Sequence, residues 1–157
     1  MNERYLFRGK RTDNGKWEIG LLARYNPKYP CANIIDETEL LIPVHTKTVG
    51  QCTGLKDKNG KVIFEGDIVK LTDINSGVEW RAYVVFGNPY CTYNWGWNLM
   101  YIGKEPKANT DILLWAEMEE TGAYCEVIGN IYDTPNLLKI EHDSLCETET
   151  YKAGDEQ

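Results

Sequence analysis

The sequence has few residues of the kinds that build metal and redox sites. It contains two histidines, and no two of its five cysteines lie as close together as zinc-binding loops require. We therefore expect free thiols in a reducing cell and no bound metal ion. The chain also lacks any apolar run near the roughly 18 residues of a membrane helix. Residues 1–20 lack the apolar core of a secretory signal, so the sequence predicts a soluble, cytoplasmic protein without membrane contact.

Fingerprints of cofactor binding are missing too. The segments Gly9–Lys16 and Gly54–Lys61 resemble a phosphate-binding loop, but their glycines are one residue too far apart. Trp17 and Val62 then stand where a hydroxyl would hold Mg²⁺. Because no glycine-rich dinucleotide motif is present either, we expect no cofactor.

No group of residues has the pattern of a catalytic site. Glu65 and Asp67 flank a turn glycine, and they are more simply the start of a strand than an acid–base pair. A nucleophile pair such as Cys52 with His45 would require two distant segments to meet in space. The sequence therefore predicts a protein that is not an enzyme.

Charge is divided unevenly along the chain. The net charge is -7, but residues 1–70 carry +3 and the remainder carries -10. Residues 141–157 are polar and hold six of the acidic side chains. We expect one domain over residues 1–140 followed by an acidic, flexible tail over residues 141–157.

The pattern of short apolar segments and turns predicts a mainly β fold. Asn-Gly pairs at 14–15 and 59–60 predict two hairpins, and residues 78–86 form the clearest strand. Residues 26–39 hold two prolines and predict a loop, whereas residues 111–120 fit either a helix or a strand. A Thr-Pro pair at 134–135 predicts a short helix start. The expected architecture is a small, partly open barrel of SH3-like character, with hairpins and one or two short helices.

Two groups of side chains are candidates for binding a partner. One is basic and the other is an aromatic cluster within residues 90–97, where rings could stack on bases or anchor a protein. The basic group could equally be a solvated strand edge, and alternate rings could fill a buried face. The candidate residues are Arg8, Lys10, Arg11, Tyr90, Tyr93, Trp95 and Trp97.

Three blocks of the sequence resemble the YopX family. The first comprises residues 7–11 (FRGKR) with residues 14–17 (NGKW) and Gly20. The second and third are residues 48–69 and 126–138, which resemble the central and the C-terminal signature. Cys52 stands where the family usually has an aromatic residue, and Thr134 where asparagine is common.

The resemblance implies a small β-rich protein encoded by a phage or prophage, and it supplies no catalytic residues. We therefore expect a non-enzymatic binding or assembly module that forms a homo-oligomer and binds a protein or nucleic acid. Three alternatives stay open. They are a nucleic-acid-binding accessory module of the SH3-like type, a small hydrolase or transferase with a dispersed site, and an acidic mimic of DNA.

Overall fold

The computed structural model describes residues 3–89, 95–103, 110–117 and 122–139. They form ten strands, one short α-helix and three single turns of 3₁₀-helix, at Glu3–Tyr5, Thr46–Thr48 and Pro135–Leu138. The strands and the helix are β1 (Leu6–Lys10), β2 (Trp17–Arg24), β3 (Cys31–Ile35), β4 (Leu41–His45), β5 (Gly50–Lys56), β6 (Val62–Phe64), β7 (Asp67–Asp73), β8 (Val78–Gly87), β9 (Gly96–Ile102), α1 (Ile112–Glu117) and β10 (Ala123–Asn130). The prediction of a mainly β protein is confirmed.

The strands divide into two antiparallel sheets. The first has the order β4-β3-β2-β1-β5-β6, and the second has the order β10-β7-β8-β9. Neither sheet closes into a complete barrel, and an SH3-like character stays a prediction. None of the described helices is long and apolar enough to cross a membrane.

The first sheet curls because Gly9 allows another strand to approach its backbone closely. A Cβ added to Gly9 would lie 2.8 Å from a methyl group of Val44, so β4 can fold back towards β1. Residue 11 then forms a bridge with Val44. The inner face of the curl buries Ala32, Ile34, Ile42 and Val44, with Phe7 and Leu22 beside them.

The larger core belongs to the second sheet. Alternate residues of β8 face it, with Ala82 and Val84 buried and Trp80 half-buried. Helix α1 covers this face through Ile112 and Trp115, and the Trp115 ring lies 5.6 Å from that of Trp80. The ambiguous segment is thus helical over the residues of α1.

Both hairpins agree with the predictions, and β4 lies at an edge of its sheet. Gly15 and Gly60 have φ values of 70° and 79°, the left-handed conformation that such turns require. Pro43 lies in β4, which is an edge strand of its sheet, where a missing N–H is tolerated.

One part of the prediction is wrong. Residues 31–35, within the predicted loop, form β3 in the middle of the first sheet. Their side chains alternate between buried and more exposed, with Ala32 and Ile34 pointing into the core. The prolines that indicated a loop stand before this strand, at positions 27 and 30.

Candidate functional site

An ion pair joins the two sheets at the start of β7. Nη1 of Arg8, on β1, lies 2.6 Å from Oδ1 of Asp67, and both side chains are more than nine-tenths buried. Nη2 of Arg8 donates to the Glu65 carbonyl oxygen at 3.1 Å. The other carboxylate oxygen of Asp67 accepts the Phe64 N–H at 2.8 Å, so the turn between β6 and β7 is held on β1.

Aromatic rings enclose the Arg8 guanidinium. Its central carbon lies 4.7 Å from the Trp17 ring and 5.0 Å from the Phe64 ring, within the range of cation–π attraction. Trp17 also packs on Tyr132 at 5.8 Å between centroids. We call Arg8, Trp17, Phe64, Asp67 and Tyr132 the inter-sheet cluster.

Asp133 attaches the C-terminal turn to this cluster. It accepts a 2.6 Å hydrogen bond from Nε1 of Trp17 and forms an ion pair with Lys10. The hydrogen bonds from Lys10, Asn130 and Trp17 lower the pKa of Asp133 to about 2. This carboxylate is therefore charged at neutral pH and fixes the turn at the end of β1.

Burial dominates the electrostatics inside the cluster. It raises the pKa of Asp67, although the positive charge of Arg8 opposes the rise. Burial likewise raises the pKa of the neighbouring Glu65 and of Tyr132. Because Arg8 and Asp67 neutralise each other in the interior, the cluster acts as a structural link rather than an open ligand site.

A second link joins the β5–β6 turn to β10. The Asp57 carboxylate accepts the N–H groups of Asn59, Lys61 and Val127 at 2.8–3.0 Å. Burial alone would raise the pKa of Asp57, but these backbone donors outweigh it and hold the pKa below its usual value. Lys58 adds an ion pair with Glu126.

The three basic candidate residues all pair with carboxylates of the same chain. Arg8 is buried against Asp67, and Lys10 contacts Asp133. The Arg11 guanidinium lies 2.8 Å from Asp13 and 3.3 Å from Glu18. A role in binding nucleic acid stays a prediction for these residues.

The described rings of the aromatic cluster lie at the start of β9. Trp97 is half-buried and packs edge-on against Phe86 of β8 at 4.9 Å. Trp95 is 78% exposed. Tyr90 and Tyr93 lie outside the described residues, and partner binding by these four residues stays a prediction.

The described cysteines are free, and two of them are inert. Cys52 and Cys125 are buried, and burial raises the pKa of both thiols, that of Cys125 to about 12. Cys31 is exposed and lies opposite His45 on β4. Among the described residues, no three His, Cys, Asp or Glu side chains lie close enough together to hold a metal ion.

A partly exposed row of apolar side chains crosses the outer face of the first sheet. Leu6, Leu21, Ile35 and Leu41 lie directly opposite one another on β1, β2, β3 and β4, and we call them the outer row. Residues in register share one face of a sheet, opposite the one that buries Ala32 and Ile34. Leu21 and Leu41 are exposed, Leu6 and Ile35 are half-buried, and exposed Ile19 extends the row.

Two hollows flank the outer row, and they differ in charge. One has a volume of about 480 Å³ and is lined by Leu6, Ile19, Gly20 and Glu37. The other has a volume of about 240 Å³ and is lined by Arg24, Asn26, Tyr29, Pro30, Cys31 and Asn33. The face thus changes from acidic to basic along the strand direction, with apolar side chains between.

The sequence-based reasoning missed the outer row because it placed a loop at β3. A signal was present in β2, where residues 19–22 (IGLL) are apolar without alternation. Such a run is typical of a strand whose two faces are both covered. Within the described chain, one face of β2 packs on the core while Ile19 and Leu21 on the other stay exposed.

The comparison with known families agrees with the signature blocks. A family model described as YopX protein matches residues 6–139, which include both sheets and the inter-sheet cluster. No curated protein matches the chain.

Proposed function

The chain belongs to the YopX family, and from this premise and the geometry above we propose that it is a non-enzymatic module that binds a protein surface through the outer row. The family resemblance supports an origin in a phage or prophage. It transfers no catalytic residue.

The observation that carries the proposal is a row of four aligned apolar side chains on one sheet face, of which Leu21 and Leu41 are exposed and the other two are half-buried. An isolated exposed leucine is ordinary, but a contiguous apolar strip bordered by charged groups is typical of a protein interface. The charged signature residues favour the same conclusion. Arg8 pairs with Asp67, and Lys10 pairs with Asp133, so these charges stabilise the fold of the chain itself. The leucines of the outer row do not join the two sheets in this way.

Site-specific photo-crosslinking tests this function. A photoreactive phenylalanine analogue is placed at Leu21, or as a control at Ile74, an exposed apolar residue of the β7–β8 turn. In the producing cell we expect covalent adducts with a protein, identified by mass spectrometry, from position 21 and not from position 74. The substitution Ile19→Asp should reduce the yield at position 21. Equal or absent adducts at the two positions would refute the proposal.

A further inference from the structure

We propose that the outer row binds a second copy of this chain in a two-fold arrangement with the strands of the two copies antiparallel. This inference rests on the proposed binding function and identifies the bound protein as another molecule of the same chain. The argument comes from the charges at the two ends of the row.

A bulge places a cation beside the outer row. β2 and β3 pair Leu21 with Ile35, but the next partners are shifted, so that Arg24 lies opposite Asn33. Because Asn33 shares a face with Ile35, the extra residue brings Arg24 onto the face of the outer row. Without the bulge, Arg24 would point to the opposite side of the sheet, since it is three residues from Leu21.

An anion lies at the other end of the same face. Glu37 follows β3 by two residues and lines the hollow beside Leu6 and Ile19. Arg24 and Glu37 are both exposed, and neither forms an ion pair with any described residue. At about 3.3 Å per residue, each charge is roughly 7–10 Å from the row along its strand.

A face with apolar residues in the centre, a cation at one end and an anion at the other is complementary to its own copy. A two-fold axis that runs along the row, in the plane of the interface and perpendicular to the strands, would bring Arg24 of one copy against Glu37 of the other, twice. A parallel arrangement would instead place like charges together. The apolar centre would supply most of the affinity, and the two ion pairs would select this orientation.

Charge reversal on the full-length protein tests the arrangement. Sedimentation velocity at low salt should show a concentration-dependent dimer, and Leu21→Asp should abolish it. Arg24→Glu alone and Glu37→Arg alone should each weaken the dimer roughly tenfold, because two attractions become repulsions. Lys47→Glu is a matched control on the Thr46–Thr48 turn, outside this face, and should change nothing.

Two further samples distinguish orientation from general electrostatics. The double variant Arg24→Glu/Glu37→Arg should regain the dimer, and an equimolar mixture of the two single variants should form a heterodimer. High salt screens these charges, so the recovery in the double variant and the preference for the heterodimer should both become smaller. The inference is overturned if the wild-type chain is a monomer at 100 μM, if the single reversals have no effect, or if neither sample restores association.

The result separates this inference from the proposed function. Cross-links from position 21 to an unrelated protein, together with a monomeric chain, would refute the second copy and leave the binding function standing. Absence of any cross-link at position 21 would refute both.

Discussion

The ion pair between Arg8 and Asp67 should be strongly coupled energetically. Removing one partner of a buried pair leaves an uncompensated charge and costs about 3–5 kcal/mol. In Asp67→Asn, the guanidinium would keep the Glu65 carbonyl oxygen and the rings of Trp17 and Phe64, so we expect a loss near the lower end of that range. In Arg8→Met, the carboxylate would keep only the Phe64 N–H, and we expect a loss of about 4 kcal/mol at pH 7.

The double variant Arg8→Met/Asp67→Leu should lose far less than the sum. Replacing both partners with apolar side chains removes the desolvation cost together with the attraction, and such replacements are often close to neutral. Since Nε of Arg8 is buried without a hydrogen-bond partner, its removal also eliminates an unsatisfied donor. We expect a net cost of about 1 kcal/mol and therefore a coupling energy of several kcal/mol.

Urea unfolding followed by tryptophan fluorescence measures all four free energies. A domain of this size is stabilised by about 5–15 kcal/mol, so a single variant that fails to fold is a possible outcome. The double variant would then be expected to fold again, which preserves the test. Additive losses, or single losses below about 1 kcal/mol, would refute the view that this pair links the sheets.

The pH dependence of the stability of Arg8→Met tests the same cluster, because the reasoning predicts in which direction the destabilisation changes with pH. Burial raises the pKa of Asp67, and loss of the Arg8 charge should raise it further. A raised pKa in the folded state means that stability is greatest below the ordinary pKa of about 3.9 and falls as the pH rises through the folded value. The destabilisation by Arg8→Met relative to wild type should thus shrink as the pH is lowered from 7 to 4, as urea unfolding at several pH values would show.

Three other substitutions test local features. Gly20→Ala would place a Cβ 2.0 Å from the Ile35 carbonyl oxygen and should lower the free energy of unfolding by about 3 kcal/mol or more. The Cβ of Gly15→Ala would meet no atom within 4 Å, and this substitution should cost only about 1 kcal/mol for its positive φ. Equal melting temperatures of the two variants would contradict this. Asp133→Asn should cost about 1 kcal/mol at pH 7, after allowance for the partial exposure of the carboxylate. Because the pKa of Asp133 is lowered, that difference should disappear as the pH falls from about 4 to 2, and a difference that persists in acid unfolding curves would exclude the ionic explanation.

The parts of the fold that sequence reasoning predicted are those determined by neighbouring residues. The turns at Gly15 and Gly60 need a left-handed conformation, which an Asn-Gly pair signals directly. The strand around Ala82 and Val84 shows its alternation within one segment. β3 was missed because it has five residues and follows a proline, and its place in the sheet depends on pairing with β2 and β4.

The candidate site could not be predicted because it, too, depends on contacts between residues that are far apart in the sequence. Trp17 and Asp133 are 116 positions apart, and nothing local indicates that they meet. The cluster of basic residues near the N-terminus predicted an exposed, positively charged patch. Arg8 and Lys10 pair with carboxylates from distant segments, and Arg8 in particular became a buried residue only through β7. The bulge that turns Arg24 outward depends likewise on how β2 pairs with β3.

The inter-sheet cluster and the outer row come from different parts of the sequence. This explains why membership of the family does not identify the protein that the outer row binds. The inter-sheet cluster draws its residues from the three signature blocks, which comprise residues 7–11 with 14–17 and Gly20, residues 48–69, and residues 126–138. The outer row draws Leu6, Leu21, Ile35 and Leu41 from positions outside those blocks. A substitution at Leu21 or Leu41 changes a side chain that is partly exposed to water, so it should alter association more than folding. A substitution in the cluster should do the reverse, because it disrupts buried groups that join the two sheets. Loss of association in Leu21→Asp at unchanged unfolding free energy is therefore evidence about binding and not about folding.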